Sequence, residues 1–275
     1  DPGMNEITAP AAERQIVPTN APPTRAATKV GLKEPELLLS GQHNLCPGCG
    51  EPIATRLVLE VIKELGLAER SVAVVGIGCY VMLSASLKLE VAQALHGRAP
   101  SLATGIKRMQ PKATVFTFQG DGDMANEGLQ EVLHTAARGE NVTCIMFNNG
   151  VFGETGGQMT STSVLGQRTK NTLEGRDARR HGFPIRITDL IAQLDGAAYV
   201  ARGAVNDVRS IALTKKMIRR AFETQRDGLG FSIVEILTMC PTGWFVSAAE
   251  APDYMRDTMG QVHTMGELKA PPVEE

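Results

Sequence analysis

Two hydrophobic periods alternate along the chain. The stretch EPIATRLVLEVIKELG places Ile53, Leu57, Val58, Val61, Ile62 and Leu65 on one helical face, and Gly66 supplies the stop. SVAVVGIG is a short continuous apolar run ending in glycines, which predicts a buried strand running into a turn. ATVFTFQGDGD is a second such run and NVTCIMFNNG a third, with the helical spacing and glycine end of NEGLQEVLHTAARG between them. Further on, ITDLIAQLDG, AAYVAR, NDVRSIALTKKMIRRAFETQ and FSIVEIL read as helix, strand, helix, strand. Strands that are apolar on both faces and alternate with helices predict an α/β fold. Its mostly parallel sheet would be flanked by helices on both faces. Such sheets bind ligands at the carboxyl ends of their strands, which is where the glycine-rich turns GIGCY, QGDGD and FNNGVFGETGGQ fall.

The flanks lack this rhythm. Residues 1–40, rich in Pro, Ala and Thr, predict an extended or disordered arm that drapes over a partner. Residues 251–275 read as a second, polar tail, which leaves residues 41–250 as the folded domain. A chain of 275 residues with 43% hydrophobic composition has room for a substantial core. Its net charge of −2 gives no pointer to nucleic acid. No apolar run approaches the roughly 18–20 residues of a membrane span. The first residues lack the charged-then-apolar order of a secretory signal. Five cysteines without such a signal predict a reducing, cytoplasmic setting, in which thiols bind metal, react or pack.

The chemistry concentrates in GDGDMANEGLQEVLHTAARGENVTCIMFNN. Gly120-Asp121-Gly122 is followed, after 25 intervening residues, by Asn148-Asn149. A strand, turn, helix, strand path brings those two turns side by side, and the glycines permit close backbone approach to an anion. Asp121 offers a carboxylate oxygen, Asn149 an amide oxygen, and Val151 an exposed backbone carbonyl. Mg2+ takes about six oxygens and commonly shares them with phosphate. A lone G-D-G is a common glycine turn; the full spacing resembles the thiamine-diphosphate motif. That resemblance implies Asp121, Asn149 and the Val151 carbonyl as Mg2+ ligands.

The cysteines divide into two kinds. Cys46 and Cys49 (in HNLCPGCGEP), Cys79 (in GIGCY) and Cys240 (in TMCPTGW) sit in loop contexts, whereas Cys144 lies inside an apolar strand and reads as core. Four thiolates are the ligand set of a structural zinc or of a four-iron four-sulfur (4Fe–4S) cluster, and spacing alone leaves both open. The order C-P-G-C-G, G-I-G-C, H-G-R-A, G-D-G-D, N-N, C-P-T resembles one family closely over residues 43–248. It is similar to the thiamine-diphosphate-binding (beta-type) subunit of the 2-oxoacid:ferredoxin oxidoreductases, most of all the branched-chain, 2-oxoisovalerate-type members.

The resemblance implies a 4Fe–4S cluster on Cys46, Cys49, Cys79 and Cys240, beside thiamine diphosphate and Mg2+. It implies oxidative decarboxylation of a 2-oxoacid with coenzyme A, giving acyl-CoA and CO2. Electrons would pass one at a time through the cluster to ferredoxin. Cofactor contacts are expected from Gly78, Cys79, His96, Gly120, Asp121, Gly122, Asp123, Asn149, Val151, Gly153 and Thr155, with His96 the candidate for a catalytic group. The Glu that activates the coenzyme's pyrimidine ring in this family belongs to a separate domain. The resemblance therefore implies a pyrimidine-binding alpha-type partner, with gamma and ferredoxin-like subunits beside it, and an isolated chain without activity.

Several residues have plainer readings. For His96 and Arg98 the plainer alternative is a helix-end histidine and a solvated arginine. Asp123 reads as a bond to the phosphate-side turn or as a helix N-cap. GETGGQ reads as a loop beside the diphosphate or a flexible turn. His43 has no evident role, and His134 reads as structural. RDARRHG, around Arg176, reads as a solvated loop, with a contact to a partner or to coenzyme A as the functional alternative. Trp244 reads as packing, or as a shield over the cysteines. Two other functions compete with the first. One is a non-redox thiamine decarboxylase or transferase with zinc on the cysteines. The other is a regulatory subunit whose glycine turns bind a nucleotide, although GIGCY lacks the dinucleotide fingerprint.

Overall fold

The apolar runs pair into a seven-stranded sheet. In the computed structural model, which describes residue 39 and residues 43–271, the strands are β1 (Ser71–Val75), β2 (Glu90–Gln93), β3 (Thr114–Gly120), β4 (Thr143–Asn148), β7 (Ala197–Ala204), β8 (Phe231–Leu237) and β9 (Gly266–Lys269). A separate antiparallel hairpin joins β5 (Val151–Phe152) to β6 (Gln158–Met159). The sheet order is β2-β1-β3-β4-β8-β7-β9, and every neighbouring pair is parallel except β7 with β9. The N-terminal arm expected over residues 1–40 lies outside the described residues, apart from Leu39, which bridges Leu87. Residues 272–275 lie outside them as well.

The helices are α1 (Glu51–Glu64), α2 (Val81–Ser84), α3 (Ala99–Met109), α4 (Leu129–Ala137), α5 (Ala178–His181), α6 (Ile187–Ala192), α7 (Val208–Arg226), α8 (Pro241–Trp244), α9 (Ala251–Asp257) and α10 (Met259–Val262). They cover both faces, as the two-sided apolar strands require. Against one face lie Val58 and Ile62 of α1, Ile218 and Phe222 of α7, and the alternate strand residues Ala73, Phe116 and Ile145. Against the other lie Ala103 of α3, Val132 of α4 and Ile191 of α6, with Val74, Val115 and Cys144. Burial of each such large side chain contributes about 1.5–3 kcal/mol, and Phe222 meets Phe116 edge-on at 5.5 Å. Cys144 is fully buried, as its strand position predicted.

After β1 the chain turns outward to β2 and then returns to β3 on the other side of β1. That reversal opens the crevice where parallel sheets take their ligands. The carboxyl ends of β1, β3, β4 and β8 lead to Cys79, Asp121, Asn149 and Cys240 respectively.

The polar tail expected from residue 251 is corrected. Residues 251–269 form α9, α10 and the edge strand β9, with Ala251, Met255 and Met259 in the core. Three buried apolar residues suffice because the segment lies on a sheet face already built by the rest of the chain. β9 adds backbone bonds to β7, and Tyr199 donates to Glu267 at 2.6 Å. Among the described residues, no helix is long and apolar enough to cross a membrane.

Candidate active site

The residues expected to touch a cofactor come together. Gly78, Cys79, His96, Gly120, Asp121, Gly122, Asp123, Asn149, Val151, Gly153 and Thr155 all line one cavity at the strand ends. Asp121 follows β3 directly and is 1% exposed. Its Oδ2 accepts from the hydroxyls of Thr160 and Thr162, each at 2.6 Å. Its Oδ1 takes only the Asn149 amide, at 3.3 Å. Burial raises the carboxyl to about 6, against the lowering effect of those two hydroxyls. A buried carboxylate with one oxygen held and the other nearly free is what a divalent cation would use. Asn149 Oδ1 accepts from the Val151 amide at 3.0 Å, which folds the turn so that residues 149 and 151 face the same cavity. The donor set therefore fits Mg2+: a carboxylate, an amide oxygen and a backbone carbonyl at one crevice.

Asp123 is a clamp, and its N-cap reading is corrected. It lies within a π-helical turn, Gly122–Glu127, and caps nothing with its side chain. Oδ1 accepts from the Gly97 amide at 2.8 Å and the Ile77 amide at 3.2 Å, while Oδ2 accepts from Gln119 at 2.7 Å. It thus ties the loops after β1 and β2 to β3. Gly97 must be glycine for this, since φ is +71° and a Cβ would stand 2.5 Å from the Glu127 backbone. His96 is exposed at the cavity edge, with Nδ1 3.1 Å from Glu127 Oε2. Arg98 pairs instead with Glu131 on α4, outside the cavity lining. Thr155 Oγ1 donates to Gln158 Oε1 at 2.8 Å, so GETGGQ forms the hairpin turn between β5 and β6.

The four loop cysteines line a second cavity, of about 150 Å³. The two cavities share a wall made of Glu51, Cys79, Asn149 and Gly153. Cys46 is exposed; Cys49, Cys79 and Cys240 are partly buried. Burial, then the nearby Glu51 carboxylate, pushes Cys79 up to about 12. Cys240 is likewise raised to about 12, by burial first, and Cys49 is raised higher still. Thiols this reluctant to ionise alone are converted to thiolates by a bound cation. Gly153 opens the space: a Cβ there would stand 3.2 Å from Cys79 Sγ and 3.9 Å from Cys240 Sγ. Among the described residues, only His96, Asp123 and Glu127 bring three metal-ligating atoms within 4.8 Å of one another. A tetrahedral zinc, with Zn–S near 2.3 Å, gathers its sulfurs to about 3.8 Å apart. No three of the cysteine sulfurs come within 4.8 Å of one another among the described residues. In the His96 trio, Asp123 is already occupied by three donors.

The sequence reading misses Glu51 and misplaces Arg176, while Trp244 packs in the core as expected. Glu51 stands directly after CPGCG, in the first turn of α1, where an acid reads as an ordinary helix-start residue. It is 3% exposed, and Oε2 is buried without a hydrogen-bond partner. Burial, then Asp121 and Glu154, raises it to about 8. Arg176, expected in a solvated loop, is 5% exposed and donates to six backbone carbonyls, among them Thr160, Ser161, Ser163 and Phe183. Trp244 is buried, and its indole Nε1 donates to the Asn149 carbonyl at 2.7 Å. His43 Nδ1 accepts from the Leu45 amide at 3.3 Å, and His134 is exposed on α4.

Comparison with known proteins gives the class. The profile described as "Thiamine pyrophosphate enzyme, C-terminal TPP binding domain" matches residues 63–236. The chain is 39% identical over 214 residues to the ketoisovalerate oxidoreductase subunit VorA of Methanothermobacter marburgensis, covering 78% of this chain and 45% of that one. It spans about half the length of the ketoisovalerate subunits it matches. It is 34% identical to the 2-oxoglutarate synthase subunit KorB of Archaeoglobus fulgidus, covering 77% of this chain and 75% of that subunit. A solved 2-oxoglutarate:ferredoxin oxidoreductase from Magnetococcus marinus, with 2-oxoglutarate, coenzyme A and succinyl-CoA bound, superposes with a TM-score of 0.71. It is 26% identical, over 86% of this chain and 84% of that one. The chain belongs to the thiamine pyrophosphate enzyme family, among the subunits of the 2-oxoacid:ferredoxin oxidoreductases.

Proposed function

We propose that this chain is the thiamine-diphosphate-binding subunit of a cytoplasmic 2-oxoacid:ferredoxin oxidoreductase, which converts a 2-oxoacid and coenzyme A to acyl-CoA and CO2. The observation that carries the reading is the shared wall. Asp121 and Asn149 stand on one side of Cys79 and Gly153, and the four-cysteine cage stands on the other. A coenzyme anchored at the first site thus lies next to a redox group held at the second.

In this reading Asp121, Asn149 and the Val151 carbonyl hold Mg2+, and the amides of the Gly120–Gly122 turn face the diphosphate. Gly78, Gly153 and Thr155 line the approach, Asp123 fixes the turns, and His96 reaches the diphosphate from the cavity edge. Cys46, Cys49, Cys79 and Cys240 hold a 4Fe–4S cluster. Thiamine diphosphate supplies the carbon nucleophile for decarboxylation, and the cluster supplies a one-electron outlet to ferredoxin. The chain's own part is to anchor, orient and shield. Trp244, the last residue of α8, whose first turn follows Cys240, braces the Asn149 carbonyl and so ties the two sites mechanically.

The relatives are named as subunits, and in this reading a pyrimidine-binding alpha-type subunit completes the site, with gamma and ferredoxin-like subunits beside it. The higher identity to the ketoisovalerate subunits favours a branched-chain acid.

Anaerobic purification with the co-expressed partners, iron and zinc counts and an absorption spectrum test the reading. About four irons for this chain, beyond those of any ferredoxin-like partner, and broad absorption near 400 nm are expected. One zinc and no iron would overturn it and leave a non-redox thiamine protein.

A further inference from the structure

Residues 160–163, Thr-Ser-Thr-Ser, run beneath the two loops that carry Asp121 and Asn149. The hydroxyls of Thr160, Thr162 and Ser163 face the site, and that of Ser161 donates to the Ala125 carbonyl at 3.2 Å. Thr160 and Thr162 hold Asp121 Oδ2, each at 2.6 Å, and Ser163 donates to the Gly150 carbonyl at 2.5 Å. Their carbonyls face away, and each has a donor. Arg176 takes those of Thr160, Ser161 and Ser163, at 3.3, 3.0 and 2.5 Å. The remaining one, Thr162, is taken by His263 Nε2 at 3.0 Å.

His263 is fully buried and closes α10, beyond the residues that the family profile matches. A carbonyl only accepts, so Nε2 carries the proton in this bond. The backbone on either side of the ring is fixed. The His263 amide donates to the Met259 carbonyl at 2.8 Å, and Arg202 Nη1 donates to the Thr264 carbonyl at 3.1 Å. The ring is therefore aimed, not merely packed.

We infer that His263 is a positioning residue for the metal ligand Asp121, acting through Thr162, an inference that rests on the reading of Asp121 and Asn149 as Mg2+ ligands. The chain of contacts is short: His263 Nε2–H to the Thr162 carbonyl, and the Thr162 hydroxyl to Asp121 Oδ2. Holding Oδ2 turns Oδ1 toward the cavity. With the Nε2–H donor gone, the Thr162 carbonyl is a buried unpaired acceptor. Residue 162 then rotates to find a partner and draws its hydroxyl off the carboxylate. The segment from residue 251 onward is in this way part of the cofactor site without touching the cofactor.

The test separates the donated bond from the space the ring fills. His263→Phe keeps an aromatic ring and removes the donor; His263→Gln keeps an amide donor and removes the ring. Each full-length variant is purified in complex with its partner subunits and stripped of cofactor. Mg2+ is then titrated by calorimetry in the presence of thiamine diphosphate. His263→Phe is expected to weaken Mg2+ binding by about tenfold, with His263→Gln within about threefold of wild type. Iron content is expected to match wild type in both. If His263→Phe does not assemble, His263→Leu, which also lacks a donor, takes its place. Wild-type affinity in the donor-less variant, or an equal loss in His263→Gln, overturns the inference. Failure of the wild-type complex to bind Mg2+ with thiamine diphosphate is a separate result; it removes the ligand reading and this inference with it.

Discussion

The indole Nε1 of Trp244 donates to the backbone carbonyl of Asn149 at 2.7 Å. One residue lies four positions past Cys240; the other follows β4 and faces the Asp121 crevice. The bond joins the cysteine loop to the proposed metal loop. Replacing Trp244 with Phe keeps much of its packing on Tyr254, 5.0 Å away between ring centres, but leaves a buried carbonyl unpaired. A loss of about 1–3 kcal/mol is expected in denaturant unfolding, because the orphaned acceptor bears its full desolvation cost. Weaker Mg2+-dependent binding of thiamine diphosphate should accompany it. A variant with wild-type stability and wild-type cofactor affinity would show the bond to be incidental.

The cysteines should separate by role. Cys79→Ser is expected to lower bound iron to a small fraction of the wild-type value, measured on anaerobically purified complex. Cys144→Ala is expected to keep its iron and lose about 1 kcal/mol of stability, the cost of removing a small buried group from a packed strand. Equal iron in the two variants would sink the four-cysteine assignment.

Gly153 bears on the same cage from the other side. A Cβ there stands 3.2 Å from Cys79 Sγ, tighter than ordinary contact. Gly153→Val, which adds two methyl groups to that Cβ, should reduce iron occupancy while the sheet core, which it does not touch, keeps its unfolding midpoint. Iron and absorbance near 400 nm read the effect directly. Full occupancy in the variant would mean that the cage has room to spare.

Glu235 and Arg202 make a buried ion pair, 2.8 Å apart, at 0% and 1% side-chain exposure. Burial raises Glu235, but Arg202, His263, Thr188 and Asn148 together outweigh it and hold the carboxyl below its ordinary 4.5. A depressed carboxyl binds its proton less tightly folded than unfolded. Its contribution is therefore present above the unfolded value of about 4.5 and is lost as pH falls below it. Glu235→Gln should cost about 1–3 kcal/mol at pH 7, since it removes the buried carboxylate beside Arg202 and leaves the guanidinium only its ion pair with Asp189, at 2.6 Å. That difference should shrink as pH drops below about 4.5, where the unfolded chain takes up the proton first, and be lost as pH falls through the lower folded value. Paired unfolding curves at pH 7 and pH 4 measure it; a pH-independent difference would show that the charge on Glu235 is not what stabilises the pair.

Much of this molecule is legible from local pattern. The strand runs SVAVV and TCIMF bury on two faces, so they stay apolar throughout, and Cys144 falls into the core with them. The turns at Gly120–Gly122 and Asn148–Asn149 are read from residue types that backbone geometry and metal chemistry both demand. The edge strand β2 escaped that reading. Glu90, Val91 and Gln93 are exposed, and nothing in their pattern marks a strand.

The sequence by itself determined the α/β class, the division of the cysteines into four in loops and one in the core, and the Asp121–Asn149 pairing. Each follows from chemistry confined to a few neighbouring residues and from a period of hydrophobicity. Only the tertiary structure decided the rest. Arg176 reads as solvated because an arginine is costly to bury, until six carbonyls converge on it. Glu51 reads as a helix-start acid until the fold buries it near Asp121 and Glu154, with one oxygen lacking a partner. His263 lies 101 residues from the Thr162 carbonyl it holds. No local pattern encodes that bond, because a long-range hydrogen bond depends on where the sheet has already placed both ends.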